Sequence, residues 1–172
     1  MTTKTVAIAL VLATLVGLPT LAADIYLVRH AEKQTGVSED PSLTETGRLR
    51  AANLAVVLKS AELEHVFTTD YKRTRETAVP VAESAGVEME IYDPEGLDAL
   101  AARLLKSRDS ALVVGHSNTT PELVDLLGGE AGQPIVEAWE YDRLYLLLTD
   151  NGKVTQTILL HLPPGTEAPH GK

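Results

Sequence analysis

The chain has 172 residues and no cysteine. It therefore has no disulfides, no thiolate metal ligands, no cysteine nucleophile and no lipid attached through an N-terminal cysteine. Basic residues are also scarce, with 15 Lys and Arg against 24 Asp and Glu and a formal net charge of -9. This excess of negative charge argues against binding of nucleic acid and against docking on anionic lipid.

The rest of the composition is that of a globular domain. Hydrophobic residues make up 44% of the chain and charged residues 23%, so disorder is not expected. A chain of this length is expected to form one domain, large enough to bury a core and to be stable without disulfides.

The first residues have the pattern of a targeting segment. Lys4 is followed by the apolar stretch Val6–Leu18, by a proline and by the small residues Ala22 and Ala23. This order predicts a secretory signal peptide over residues 1–23, cleaved near the two alanines, and hence a periplasmic or secreted protein with no stable membrane association after cleavage. The alternative is an uncleaved anchor, because the longer segment Thr5–Ala23 is just long enough to span a bilayer.

From residue 24 onward, short β-rich runs alternate with longer helical ones. Strands are predicted at 25–28, 65–68, 87–92, 111–114, 144–148 and 154–160, and helices at 43–59, 71–85, 97–106 and 121–127. Asn151-Gly152 predicts a tight hairpin between the last two strands, which then pair antiparallel. The pattern predicts an α/β fold over residues 24–162, a three-layer α/β/α sandwich with a mostly parallel sheet and a C-terminal antiparallel hairpin, followed by a flexible tail at 163–172.

Polar side chains follow three of the predicted strands. Arg29 and His30 come directly after the first strand, Arg73 lies at the start of the helix after the second, and His116 follows the strand at 111–114. In an open α/β sheet, ligands bind beyond the carboxyl ends of the strands. We therefore expect these four side chains to meet at one site, an arrangement that core packing does not require.

Two arginines and two histidines suit a phosphoryl group. Arginine matches phosphate oxygens with a planar fork of donors, and a neutral imidazole nitrogen can form a covalent intermediate with phosphorus. A carboxylic acid would still be needed to protonate the leaving oxygen. A zinc site built from two histidines and a carboxylate is the competing chemistry, although Arg29 and Arg73 would repel a divalent cation.

Four sequence motifs resemble, in order, those of the histidine phosphatase superfamily, in its phosphoglycerate-mutase-like branch. They read LVRHAEK, SLTETGRLRA, TTDYKRTRETA and VVGHSN. The resemblance implies that His30 is phosphorylated, that Arg29 and Arg73 bind the phosphate, and that His116 is the second histidine of the pocket. Within the third motif, Thr69 stands where the family usually has Ser and Glu76 where it usually has Gln.

The proton donor is not fixed by these motifs. The family often places a carboxylic acid just after its third strand, where this sequence has Asp93 and, two residues later, Glu95. We favour Asp93 because it directly follows the predicted strand. Asn118 is a further candidate phosphate ligand, although we favour capping of the following helix as its role.

The lengths of the loops bear on the reaction. Mutases of this branch carry long insertions that close over the substrate, whereas the predicted loops here are a few residues long. The resemblance therefore implies a histidine acid-type phosphatase that removes a phosphoryl group from a small phosphomonoester through a phosphohistidine on His30, as a monomer without metal or organic cofactor. The alternative is an exported phosphate-binding or signalling module of the same fold with little or no turnover.

Overall fold

A computed structural model describes residues 23–36 and 38–163. Six strands form one sheet in the order β3-β2-β4-β1-β5-β6. The strands are β1 (Asp24–Arg29), β2 (His65–Thr68), β3 (Met89–Ile91), β4 (Ala111–Gly115), β5 (Arg143–Asp150) and β6 (Lys153–His161), and the helices are α1 (Glu45–Val57), α2 (Lys72–Ala85), α3 (Leu97–Ser107) and α4 (Thr119–Leu126). The predicted signal peptide, apart from its last residue Ala23, and the tail beyond residue 163 lie outside the described residues.

The sheet is mixed. The pairs β3-β2, β2-β4 and β4-β1 are parallel, whereas β1-β5 and β5-β6 are antiparallel. Asn151 and Gly152 form the β5-β6 turn with φ angles of 52° and 74°, the left-handed conformations that a two-residue hairpin of this type needs. The predicted α/β fold with its C-terminal hairpin is confirmed.

Alternating side chains of β1 show how the layers are built. Ile25 and Leu27 pack with buried residues of α3 and α4, whereas Tyr26 and Val28 pack with buried residues of α1 and α2. Successive side chains of a strand point to opposite faces of the sheet, so both faces of β1 are covered by helices. The three predicted layers follow from this pattern.

Helix boundaries follow from local chemistry. The Thr44 side chain accepts a hydrogen bond from the Gly47 backbone N–H and so caps α1, as expected for a threonine at this position. Helix α2 ends at Gly86, whose left-handed φ of 71° suits glycine. Two predictions differ from the structure. The strand predicted at 87–92 is shorter and covers only Met89–Ile91, and α4 begins at Thr119 rather than at Pro121.

The parallel strands bring their carboxyl ends to one edge of the sheet. Arg29 at the end of β1 is opposite Gly115 at the end of β4, and Thr68 at the end of β2 is opposite Val114. A Cβ at Gly115 would lie 2.9 Å from Thr120 Oγ1, so glycine allows α4 to start close against this edge. None of the helices in the described ranges is long and apolar enough to cross a membrane.

Candidate active site

His30 is held in one neutral form at the end of β1. Its ring Nδ1 lies 2.8 Å from the Ala31 carbonyl oxygen, which can only accept, so Nδ1 carries the proton. The other nitrogen, Nε2, therefore keeps its lone pair. Burial is the main cause that lowers the pKa of His30 to about 3, and the nearby charges of Arg29, His116 and Arg73 contribute to this, against the opposing effect of the hydrogen bond to Ala31. The imidazole is thus neutral and able to act as a nucleophile at ordinary pH.

His116 faces His30 with 5.5 Å between ring centroids. Its Nδ1 lies 3.5 Å from an Arg73 guanidinium nitrogen, which can only donate, so Nδ1 is the unprotonated nitrogen. Its Nε2–H then donates to Thr69 Oγ1 at 3.0 Å. Burial and the charges of Arg73, Lys33 and Arg29 lower the pKa of His116 to about 4, so this ring is neutral as well.

Arg73 projects from the first turn of α2 into the same pocket. Its side chain is 13% exposed and lies 3.7 Å from Asp40 Oδ1, and its guanidinium stacks over the Tyr71 ring at 4.3 Å. Its Nε has no hydrogen-bond partner among the described residues. The contacts to Asp40 and His116 are both long for a buried cation, which is stable only when it is well paired. Such an arginine has unused capacity to bind an anion.

Arg29 is used differently. Its two terminal nitrogens donate to the carbonyl oxygens of Glu140 at 2.8 Å and Glu137 at 2.9 Å, and its guanidinium lies 4.1 Å from the centroid of the Tyr141 ring. The residue is 3% exposed and is absent from the residues that line the pocket. Arg29 therefore fixes the turn at 137–141 against the end of β1, and its charge acts on His30 from behind.

A pocket of about 350 Å³ opens over the two histidines. It is lined by His30, Lys33, Tyr71, Arg73, Pro94, Glu95, His116, Ser117, Asn118, Thr119 and Glu137. The predicted residues His30, Arg73, His116 and Asn118 are thus brought together. Asn118 occupies the N-cap position of α4, but its side chain makes no capping bond and is available to the pocket.

The two candidate acids are not equivalent. Glu95 lines the pocket, and Asp93 does not. Asp93 Oδ1 instead accepts a hydrogen bond from the Glu95 backbone N–H at 2.9 Å, and the Asp93 carbonyl accepts from Gly96 N–H at 2.9 Å. Asp93 thus forms the turn that presents Glu95, and the geometry favours Glu95 as the acid over the preferred Asp93.

A buried ion pair holds the segment that follows His30. Arg50 contacts both carboxylate oxygens of Glu32, with the shortest distance 2.6 Å, and also donates to the Leu162 carbonyl at 3.3 Å. A Cβ at Gly47 would lie 2.2 Å from the Glu32 carbonyl oxygen. Glycine is therefore required where α1 crosses the active-site loop.

Several residues in the pocket or directly behind it were not predicted from the sequence as site residues. Thr69 and Thr74 share a hydrogen bond of 2.9 Å behind His116, and Glu137 pairs with Lys33 at 3.7 Å. The Asp-Pro-Glu-Gly sequence at 93–96 is a turn signature that could have separated the two acids. Glu137 has no such local signal, because only the tertiary fold brings it to β1. Within 23–36 and 38–163, no group of three or more metal-binding side chains occurs.

Comparison with protein families gives a superfamily match over part of the chain. Residues 25–100 match the model of the histidine phosphatase superfamily (branch 1). The "Probable phosphoglycerate mutase GpmB" of Photorhabdus laumondii is 40% identical over 77 residues, which cover 41% of this chain and 35% of that protein. Its namesake in Escherichia fergusonii is 32% identical over 109 residues, covering 59% and 49%. The matched segment thus spans half or less of the length of these relatives.

Solved structures agree with the fold over more of the chain. The protein histidine phosphatase SixA complexed with tungstate superposes with a TM-score of 0.64 at 19% identity, covering 80% of this chain and 96% of that one. A mycobacterial glucosyl-3-phosphoglycerate phosphatase gives 0.61 at 16% identity, covering 82% and 98%. The resemblance to the histidine phosphatase superfamily is therefore confirmed for residues 25–100, and the fold agrees with it beyond them.

Proposed function

We propose that this protein is a histidine acid-type phosphatase that hydrolyses phosphomonoesters through a phosphohistidine on His30 Nε2. The observation that carries the proposal is a neutral imidazole, with its lone pair on Nε2, beside a largely buried arginine whose contacts to Asp40 and His116 are long, at 3.7 and 3.5 Å. A phosphate dianion supplies the acceptors that Arg73 lacks and the electrophile that His30 can attack.

The first half-reaction transfers the phosphoryl group to the protein. His30 Nε2 forms a bond to phosphorus while the bond from phosphorus to the leaving oxygen breaks, and Glu95 gives that oxygen its proton. Arg73 holds the equatorial oxygens, and the buried charge of Arg29 stabilises their negative charge through space. His116, neutral in the empty pocket, gains affinity for a proton when the dianion arrives and then donates a hydrogen bond to it.

The second half-reaction restores the enzyme. The Glu95 carboxylate accepts a proton from a water molecule, whose oxygen bonds to phosphorus as the phosphorus–Nε2 bond breaks. The products are inorganic phosphate and neutral His30. No metal or organic cofactor takes part in either half-reaction.

Hydrolysis is proposed over mutase chemistry because the pocket is open to water. Two of the loops that border it are short: the five residues 92–96 separate β3 from α3, and the three residues 116–118 separate β4 from α4. Loops of this length cannot close over a substrate and exclude water from the phosphohistidine. The prediction that the loops are only a few residues long is wrong for the segments 30–44 and 127–142. These two are held in place by the Glu32–Arg50 ion pair and by the bonds from Arg29 to the turn at 137–141. We further propose that the substrate is a small phosphorylated molecule and that the protein acts as an exported monomer, in keeping with the apolar N-terminal stretch at 6–18.

The test is release of phosphate from para-nitrophenyl phosphate by the purified protein in excess chelator. His30→Ala is compared with His161→Ala, a matched control on an exposed histidine at the end of β6. We expect chelator-resistant turnover that is lost in His30→Ala and kept in His161→Ala. Turnover that needs a metal, or that survives without His30, would overturn the mechanism.

A further inference from the structure

A second cavity adjoins the catalytic pocket along α4. Its volume is about 550 Å³, and Ser117 and Asn118 line both cavities. Its other lining residues are Pro121, Glu122, Asp125, Leu126, Ala131, Gly132 and Pro134. When the phosphoryl group lies at His30, a substrate that extends past Ser117 and Asn118 enters this cavity with its leaving group.

The far wall of this cavity is fixed by hydrogen bonds. The Ala131 backbone N–H donates to Asp125 Oδ1 at 3.2 Å, and the Ala131 carbonyl accepts from the Tyr145 hydroxyl at 3.0 Å. Arg143 donates to the Gln133 carbonyl at 2.5 Å. The loop at 131–134 is therefore tied to α4 and to β5, and the cavity exists before a ligand binds, which lowers the entropic cost of binding.

The charges beyond the phosphate are mostly negative. Glu95 and Glu137 line the outer part of the catalytic pocket, and Glu122 and Asp125 line the second cavity. Lys33 pairs with Glu137 Oε1 at 3.7 Å, and Arg143, which donates to the Gln133 carbonyl beside the second cavity, pairs with Glu140 at 2.6 Å. No Lys or Arg is among the lining residues of the second cavity. A leaving group with its own anion is repelled here, whereas one with a cation is attracted.

We propose that the second cavity receives the leaving group and that Glu122 selects substrates whose leaving group carries a positive charge and no second anion. This proposal rests on the proposed function. The side chains of Leu126 and Pro134 give the cavity an apolar wall for the stem of the leaving group, and the Glu122 carboxylate makes no hydrogen bond or ion pair within the described residues. A carboxylated substrate such as a phosphoglycerate is disfavoured by the same charges.

The test uses three phenyl phosphates that differ only in the charge of a para substituent: aminomethyl, hydroxymethyl and carboxymethyl. Their leaving oxygens are alike, so differences in kcat/KM report on recognition of the substituent. At low salt we expect the wild-type protein to favour the cationic substrate over the anionic one by about tenfold, a preference that high salt reduces because these carboxylates are near the surface.

Variants locate the effect. Glu122→Gln should reduce the ratio of kcat/KM between the cationic and anionic substrates by about threefold, and Glu122→Lys should bring it below one. Glu83→Lys, the same charge change on the exposed face of α2, controls for net charge and should leave the ratio unchanged.

The outcomes separate the two proposals. Turnover of all three substrates with equal kcat/KM, or a preference for the anionic one, overturns the inference and leaves the proposed function standing. Equal responses to Glu122→Lys and Glu83→Lys also overturn it, because net charge then explains the effect. Absence of turnover for all three substrates in the wild-type protein overturns the proposed function itself.

Discussion

Acid should destabilise this fold through its two active-site histidines. The pKa of His30 is about 3 and that of His116 about 4 in the native state, compared with about 6.5 in an unfolded chain. As the pH falls below about 6.5, the unfolded chain binds protons that the native state excludes, so stability is lost with falling pH. At pH 5 the penalty is about 2 kcal/mol for each histidine, since each pH unit below the unfolded pKa costs about 1.4 kcal/mol.

The assay is urea unfolding at pH 7 and at pH 5, with the slope of the transition checked in each variant. Comparing the pH 7 to pH 5 loss between variants cancels the contributions of other groups and the cost of the substitution itself. We expect His30→Asn to lose about 2 kcal/mol less than the wild type over this interval. His161→Asn, at an exposed position, is the control. Equal losses in the wild type and in His30→Asn would show that His30 titrates normally and would refute the reasoning.

Three further predictions concern the site and its support. Arg73→Lys should lower kcat/KM by about a hundredfold, because an ammonium cannot replace the fork of guanidinium donors. Initial rates measure this. A smaller loss than in Lys33→Met would mean that Arg73 is not the main phosphate ligand. Glu95→Gln should slow hydrolysis of alkyl phosphates by about a hundredfold and of para-nitrophenyl phosphate much less, because nitrophenolate leaves without a proton. If Asp93→Asn gave this result and Glu95→Gln did not, Asp93 would be the acid. Gly47→Ala should lower the free energy of unfolding by more than about 2 kcal/mol in a urea titration, because its Cβ would lie 2.2 Å from a backbone carbonyl; wild-type stability would mean that α1 shifts freely.

The convergence of the site was predictable because it depends on topology. Parallel strands end at the same edge of a sheet, so Arg29-His30 after β1 and His116 after β4 had to become neighbours once the strands were identified. The same holds for Arg73, which enters from the first turn of the helix after β2. Such residues need only correct strand assignment, and buried apolar runs make that assignment robust.

The roles within the site were less predictable because they depend on contacts distant in sequence. Arg29 was expected to clamp phosphate, yet its terminal nitrogens bind carbonyl oxygens of Glu137 and Glu140, and no motif marks that turn. The choice between Asp93 and Glu95 depends on one hydrogen bond within a tight turn. Position after a strand does not determine which side chain faces the pocket, because a turn of four residues reverses the direction of the chain.

The charges around His30 serve the nucleophile and the substrate at once. Burial is the main reason for the low pKa of His30, and the positive charges of Arg29 and Arg73 add to it. The same charges favour a bound phosphoryl dianion, which in turn offsets them. In the empty pocket, the positive charges help to keep the attacking nitrogen unprotonated. In the occupied pocket, the bound dianion neutralises those charges. His116, whose pKa is lowered mainly by burial and then by Arg73, is released in the same way to bind a proton next to the transferring group. In a chain with a net charge of -9, gathering its few cations at this edge of the sheet makes binding of phosphate and activation of the histidine a single electrostatic property.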